Sequence, residues 1–279
     1  LDNQAYNYVI FNKRNPVTAM TISRGCPHSA CEFCNSKLYT LGKIRFRDFD
    51  AITKEIEEVV FKYGIPEIFF RDQCFTANRE LVWKICEYII SNNIDITWRA
   101  STRADFVDKE LLFLMRRAGC YQLSFGLETC SQEVLDVNNK GITIEQGRQA
   151  IEWTKGADIE TTGLFMCGML GDTEINMKGL LRFALDSGVD YAQFNSFGCD
   201  PGTPIYEKYK AGQVYLLPER IAKRYEKYST LKFYLRPKNL LKQVKKIRSL
   251  KELKLLVSML LDLFCYFLRI NKLECSRKT

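Results

Sequence analysis

Histidine is almost missing from this chain: one residue, His28, in 279. A second Cys-x-x-Cys pair is missing too, so the two-pair framework that closes many zinc sites cannot be assembled from sequence spacing. No apolar run reaches the roughly 20 residues of a bilayer span. The nearest, "LLVSMLLDLFCYFL" at 255–268, is shorter and carries Asp262, so it reads as a packed or interfacial helix. Nothing at the N-terminus has the pattern of a signal peptide. The chain opens on Leu1 rather than Met, and the expectation is that an upstream part is missing. Acid is lacking from Lys227 to Lys251, where Lys232, Arg236, Lys238, Lys242, Lys245, Lys246 and Arg248 concentrate much of a net charge of +8. That asymmetry fits an anionic partner, nucleic acid included, or a solvated basic helix face. A membrane-surface role for residues 240–268 is a weaker reading.

What is present in quantity is cysteine, eleven residues, an odd number. Most lie singly in apolar runs, such as Cys86 in "WKICEYII" and Cys167 in "LFMCGML". There they act as small hydrophobes, which points to a reducing, cytoplasmic compartment rather than a disulfide framework.

Six apolar, β-branched or aromatic runs read as strands: residues 17–23, 67–71, 95–100, 121–127, 161–168 and 190–197. Helical spacing separates them, as in "DAITKEIEEVVFKYG", "ANRELVWKICEYIISNN" and "DKELLFLMRRAG". Repeats of this kind predict right-handed β-α units around a parallel sheet buried on both faces. The fold class is α/β: a partial TIM-like (β/α)6 barrel over residues 1–212, with a doubly wound open sheet as the alternative. Beyond "PGTPIYEKY" only helical spacing remains, and residues 213–279 are expected to form a basic helical extension.

The exception to the scattered cysteines is "SRGCPHSACEFC", residues 23–34, which leaves the C-terminal end of the first strand. In a barrel that end carries the chemistry. Cys26, Cys31 and Cys34 are soft donors suited to zinc or an iron–sulfur cluster. A structural zinc site would need a fourth ligand, and His28 lies awkwardly inside the loop. Three thiolates suit a 4Fe–4S cluster with one iron left open.

This loop, with Phe33 before the third cysteine, resembles that of the radical S-adenosylmethionine enzymes. The family's usual spacing has three residues between the first two cysteines, and this chain has four. The segments "EIFFRDQCFT", "STRADFVDKELLFLMRRAGC", "LSFGLETCSQEVL", "GLFMCGMLGDTE" and "YAQFNSFGCDPGTPIY" resemble, in order, the cobalamin-associated branch over about residues 17–210. The resemblance implies reductive cleavage of S-adenosylmethionine to a 5′-deoxyadenosyl radical, on an unknown substrate. It also implies a flavodoxin- or ferredoxin-type reductant and, in that branch, methyl transfer with cobalamin. A cobalamin domain, usual ahead of the barrel, is not found in these 279 residues.

By the same resemblance Asp72, standing where the family often has Gly-Gly-Glu-Pro, contacts the amino group of S-adenosylmethionine; helix capping is the competing reading. Glu128 binds ribose hydroxyls or the ammonium, or makes a surface ion pair. Arg103 pairs with the methionyl carboxylate, or with Asp105 or Asp72. Gly163, Gly168 and Gly171 let backbone lie against adenine, or mark rim bends; the family's Pro is Leu170 here and its Glu is Asp172. Gln193 and Asn195 face the cavity, or bridge buried water. His28 reads as a loop residue. Cys74, Cys130 and Cys199 are left unassigned. Two other readings stand: RNA binding or modification through the basic segment with Tyr225, Tyr228, Phe233 and Tyr234 as stacking platforms, and a barrel with structural zinc.

Overall fold

The computed structural model describes residues 12–244 together with Lys254 and Val257. The apolar stretch 255–268, apart from Val257, and the basic residues Lys245, Lys246 and Arg248 lie outside the described residues. Two compact units are present. The first holds Asn12–Thr230 and the second begins at Leu231.

All six expected strands form, in chain order, one parallel sheet: β1 (Val17–Met20), β4 (Glu67–Phe70), β5 (Thr97–Thr102), β6 (Cys120–Glu128), β7 (Glu160–Cys167) and β8 (Tyr191–Ser196). The sheet order runs β1-β4-β5-β6-β7-β8 with β1 and β8 as edges, so the ring stays open. The helices between strands begin where short polar side chains can accept from free N–H groups of the first turn. α2 (Phe49–Glu57) is capped by Asp48, α3 (Arg79–Ser91) by Asn78 and α4 (Lys109–Arg117) by Asp108. After β6 come α5 (Gln132–Val137), capped by Ser131, and α6 (Ile144–Gly156), where Thr143 and Gln146 form a reciprocal capping box. Thr173 caps α7 (Glu174–Asp186) and Thr203 caps α8 (Pro204–Lys210). α9 (Glu219–Tyr234) follows. In the second unit α10 spans Pro237–Val244. Among the described residues no helix is long and apolar enough to cross a membrane.

Register decides which face each residue serves. Ile68, Phe70, Trp98, Ala100, Leu123, Phe125, Phe165, Ala192 and Phe194 point to the helix-covered face and are buried. Trp98 packs on Phe70 and Phe75 at centroid distances of 5.5 and 5.2 Å, and its indole N–H donates to the Ala118 carbonyl at 2.7 Å. The other face departs from the expected apolar burial. It carries Arg99, Ser101, Gln122, Ser124, Thr162, Gln193 and Asn195, half-buried or exposed. An open ring leaves this inner face accessible, and polar side chains are stable there because water reaches them.

A short ladder and a short helix have no counterpart in the sequence reading. β2 (Ser23–Arg24) and β3 (Arg45–Phe46) form a two-residue antiparallel ladder, and α1 (Ser36–Thr40) follows the cysteine loop. Both are too short to show a period.

Candidate cluster and cofactor site

The loop from Gly25 to Asn35 sits at the C-terminal ends of the strands and is held from several sides. Upstream, Asp72, just past β4, accepts from the backbone N–H of Ser23 at 2.6 Å, from its hydroxyl at 2.6 Å, and from the Ile22 N–H at 3.2 Å. Both Asp72 oxygens are therefore engaged in fastening the strand that enters the cysteine loop. Burial pushes this carboxyl up and those hydrogen bonds pull it back. Asp72 caps no helix; Asn78 performs that task for α3.

From the other side the loop is fastened to the turn Asn138–Gly141, between α5 and α6. His28 Nε2 lies 2.7 Å from the Asn139 carbonyl. The Glu32 N–H donates to the Asn138 carbonyl at 3.0 Å, and Asn139 Nδ2 donates to Glu32 Oε1 at 2.9 Å. Gly141, at φ 68°, leaves room for the imidazole: a Cβ there would approach His28 Cε1 to 2.5 Å. From α8, Lys208 Nζ lies 2.9 Å from Glu32 Oε2, and the Ile205 N–H donates to the Glu32 carbonyl. His28 is thus a docking residue of the loop.

Cys31 is buried, and Cys26 and Cys34 are half-buried. Burial raises the Cys26 and Cys31 thiols, Cys31 to about 11, while Arg103 and Lys140 pull both back toward the thiolate and Cys34 acts on both. The Ser36 N–H donates to Cys34 Sγ at 3.4 Å. The three sulfurs thus share one electrostatic field with two buried cations. Zinc would need sulfurs within about 4 Å of one another, since each Zn–S bond is about 2.3 Å. Among the described residues no three His, Cys, Asp or Glu side chains close on such a point. A cube of four irons spreads its thiolates farther, and an all-sulfur donor set is what iron–sulfur chemistry uses. By donor chemistry the three thiols suit an iron–sulfur cluster.

Around the thiols stands a charge-balanced quartet. Arg103 is 5% exposed. Its Nε and Nη2 donate to the two oxygens of Asp105 at 2.9 Å each, and Nη1 donates to the Lys140 carbonyl at 3.0 Å. Of the competing partners, Asp105 takes the guanidinium fork and Asp72 does not. Lys140 Nζ donates to Glu128 Oε1 at 2.5 Å, with both residues buried, and lies 5.9 Å from the Phe33 ring centre. Glu128 ends β6 at φ 60°, where the register with β7 shifts. It forms a buried pair rather than a surface one. Lys140 has no place in the sequence reading; "NNKG" looks like a turn, and nothing in its spacing links it to a residue twelve positions back.

Gln193 and Asn195 lie on the open inner face, 3.3 Å apart from Nε2 to Oδ1. Gly163 is on the helix side, where a Cβ would come within 2.7 Å of the Phe165 ring. Gly168 and Gly171 adopt φ of 87° and 78° in the turn after β7. Asp172 closes that turn by accepting from the Gly168 N–H at 2.9 Å. Cys74 Sγ contacts Thr102 Oγ1 at 3.4 Å, and Cys130 donates to the Asn176 carbonyl at 3.3 Å. In α9, Tyr225 and Phe233 are buried and only Tyr228 is well exposed among the four aromatics. Buried rings serve packing rather than base stacking.

Residues 20–184 match the Radical SAM superfamily. The chain belongs to that family. Its first β-α loop carries Cys26, Cys31 and Cys34, with four residues between the first two. A Pyrococcus horikoshii protein described as an uncharacterized methyltransferase is 31% identical over 201 residues, covering 72% of this chain and 44% of that relative. An anaerobic magnesium-protoporphyrin IX monomethyl ester cyclase from Cereibacter sphaeroides is 31% identical over 208 residues, covering 73% of this chain and 34% of the cyclase. The chain therefore spans less than half the length of these relatives. In fold it is similar to the radical S-adenosylmethionine methyltransferase TsrM of Kitasatospora setae, solved with cobalamin and a [4Fe-4S] cluster, with a TM-score of 0.62, 18% identity, and coverage of 68% of this chain and 38% of TsrM. Radical SAM proteins use a 4Fe–4S cluster with S-adenosylmethionine.

Proposed function

We propose that this radical SAM barrel cleaves S-adenosylmethionine reductively and directs the resulting radical, or a methyl group, onto a substrate on its inner face. The observation that carries this reading is the gathering of Cys26, Cys31 and Cys34 with Arg103 and Lys140 at the C-terminal ends of the strands. These three cysteines would hold the cluster. When bound, the cluster supplies the electron that divides the sulfonium into methionine and a 5′-deoxyadenosyl radical.

The chain's own residues prepare that event. Arg103 and Lys140 offset the negative charge that three thiolates bring into a buried place, where opposite charges are worth far more than in water. Asp72 positions the loop through Ser23, and the Asn138–Gly141 turn positions it through His28 and Glu32. Glu128, Arg103, Gln193 and the turn holding Gly168 and Gly171 would hold the nucleotide in this reading. The packed helix face excludes water from one side. Gly163, packed on Phe165, supports the strand from behind.

Methyl transfer is the subclass favoured here, because relatives described as methyltransferases recur. Cobalamin use belongs with it, as does a flavodoxin- or ferredoxin-type reductant. All nine described cysteines are free, which suits a reducing, cytoplasmic setting. Residues 1–212 form the reacting barrel in this reading. The segment from 213 onward, described as far as 244, is proposed as a separate extension.

Anaerobically reconstituted protein should hold about four irons with matching sulfide per chain. With dithionite and S-adenosylmethionine it should yield 5′-deoxyadenosine, or S-adenosylhomocysteine when reduced cob(I)alamin is added to accept the methyl group. One zinc and no iron, or neither product, ends the proposal.

A further inference from the structure

Beside the cysteine loop, and separate from the quartet around the thiols, lies a cleft of about 470 Å³. Arg24, Arg45, Arg47 and Arg71 line it with a single acid, Glu55, and Phe46. Its volume falls in the range of small-molecule sites, about 300–1,000 Å³.

The charges in this cleft do not balance. Arg24 and Arg45 are register partners in the β2–β3 ladder, so two like charges stand directly opposite each other, an arrangement that costs stability in an isolated pair. Glu55 is already taken, with Arg47 Nη2 at 2.5 Å, while Arg47 Nη1 donates to the Thr21 carbonyl at 2.8 Å. Arg71 lies over the Phe69 ring at 4.9 Å. Among the described residues Arg24, Arg45 and Arg71 have no carboxylate partner, which leaves four guanidiniums against one carboxylate. Edge strands often carry charge to block pairing with other sheets. One exposed cation achieves that, whereas four around one hollow focus a positive potential inside it.

Location gives the cleft a use. Ala19 and Phe69 are register partners, and the Arg71 N–H donates to the Met20 carbonyl at 2.8 Å, continuing that ladder. Pleat alternation then puts Thr21 and Arg71 on the inner face, at edge strand β1 where the ring is open. Arg24 lies two residues before Cys26 in the chain. We propose that this cleft holds the anionic group, phosphate or carboxylate, of the molecule whose remainder reaches the inner face. Guanidinium forks match either group with paired N–H donors. The inference rests on the inner face being the reaction chamber and adds the substrate's charge class to it. A concave site suits a small anion better than the acidic surface of a partner protein.

The test is equilibrium dialysis of the reconstituted full chain, without reductant or S-adenosylmethionine, against inorganic pyrophosphate and, in parallel, succinate. Saturable one-to-one binding of at least one probe is expected, weakened about tenfold or more by Arg45→Gln and by Arg71→Gln, since each removes charged hydrogen-bond donors. The preferred probe identifies phosphate or carboxylate as the group. Lys84→Gln, a distant surface change, should bind as the unmodified chain does. Iron content and thermal unfolding should match across variants, and a variant that fails this check is replaced by Arg→Lys at the same position, which keeps charge but loses the fork and should still weaken binding. Absence of saturation with both probes overturns the proposal, as does equal binding by the arginine variants. So does retention of an acidic flavodoxin by these arginines without small-anion binding. Loss of 5′-deoxyadenosine formation alone would sink the enzyme reading and leave this binding result standing.

Discussion

Lys140 donates to Glu128 at 2.5 Å across two buried side chains twelve residues apart, and its backbone carbonyl accepts from Arg103. One turn residue thereby ties the end of β6 to the end of β5, beside the thiols. Removing one member of a buried pair strands the other charge, at about 3–5 kcal/mol. Lys140→Met should lower stability by that order in urea unfolding, with Glu128→Gln/Lys140→Met recovering most of the loss. If the single and double variants are equally unstable, the pair is not coupled.

His28 tests whether the loop's histidine is a ligand or a fastener. Its ring lies against the Asn139 carbonyl, so His28→Gln should keep full iron content and an unchanged cluster absorption spectrum. The expected cost is about 1 kcal/mol in unfolding. A halved metal content, or a shifted spectrum, would make it a ligand.

Two glycines with positive φ separate strain from crowding. Gly25 adopts φ 109°, and a Cβ there would run into the Lys43 carbonyl; Gly64 adopts φ 62° with nothing within 4 Å. Gly64→Ala should cost about 1 kcal/mol. Gly25→Ala should cost more, about 3 kcal/mol, and should reduce iron incorporation because it displaces the entry to the cysteine loop. Equal costs would show that Lys43 yields freely.

The Cys167 thiol, on β7, is pushed up by burial from 9.0 to about 12. Between those values the folded chain keeps a proton that the unfolded chain has released. Its contribution to stability is complete below pH 9.0 and is lost as pH rises toward about 12. The slope should reach at most about 1.4 kcal/mol per pH unit. Cys167→Ala should flatten the fall in urea midpoint above pH 9, measured on iron-free protein with the other cysteines intact. An unchanged slope would assign the alkaline loss to the other thiols that burial raises, Cys31, Cys74, Cys86 and Cys120 among them.

Period alone located all six parallel strands to within three residues at each end, because buried β-branched and aromatic runs between amphipathic helices have few other solutions. The clustered thiols were equally plain, since three cysteines within nine positions are a local feature. Tertiary structure decided the rest, and for one reason: its contacts join residues with no periodic relation. Asp72 reaches Ser23 across 49 positions, His28 reaches Asn139 across 111, and Arg24 faces Arg45 only because a short ladder folds back on the loop. The polar inner face also follows from the third dimension. A closed ring would bury it, whereas a sheet ending at β1 and β8 leaves it wet.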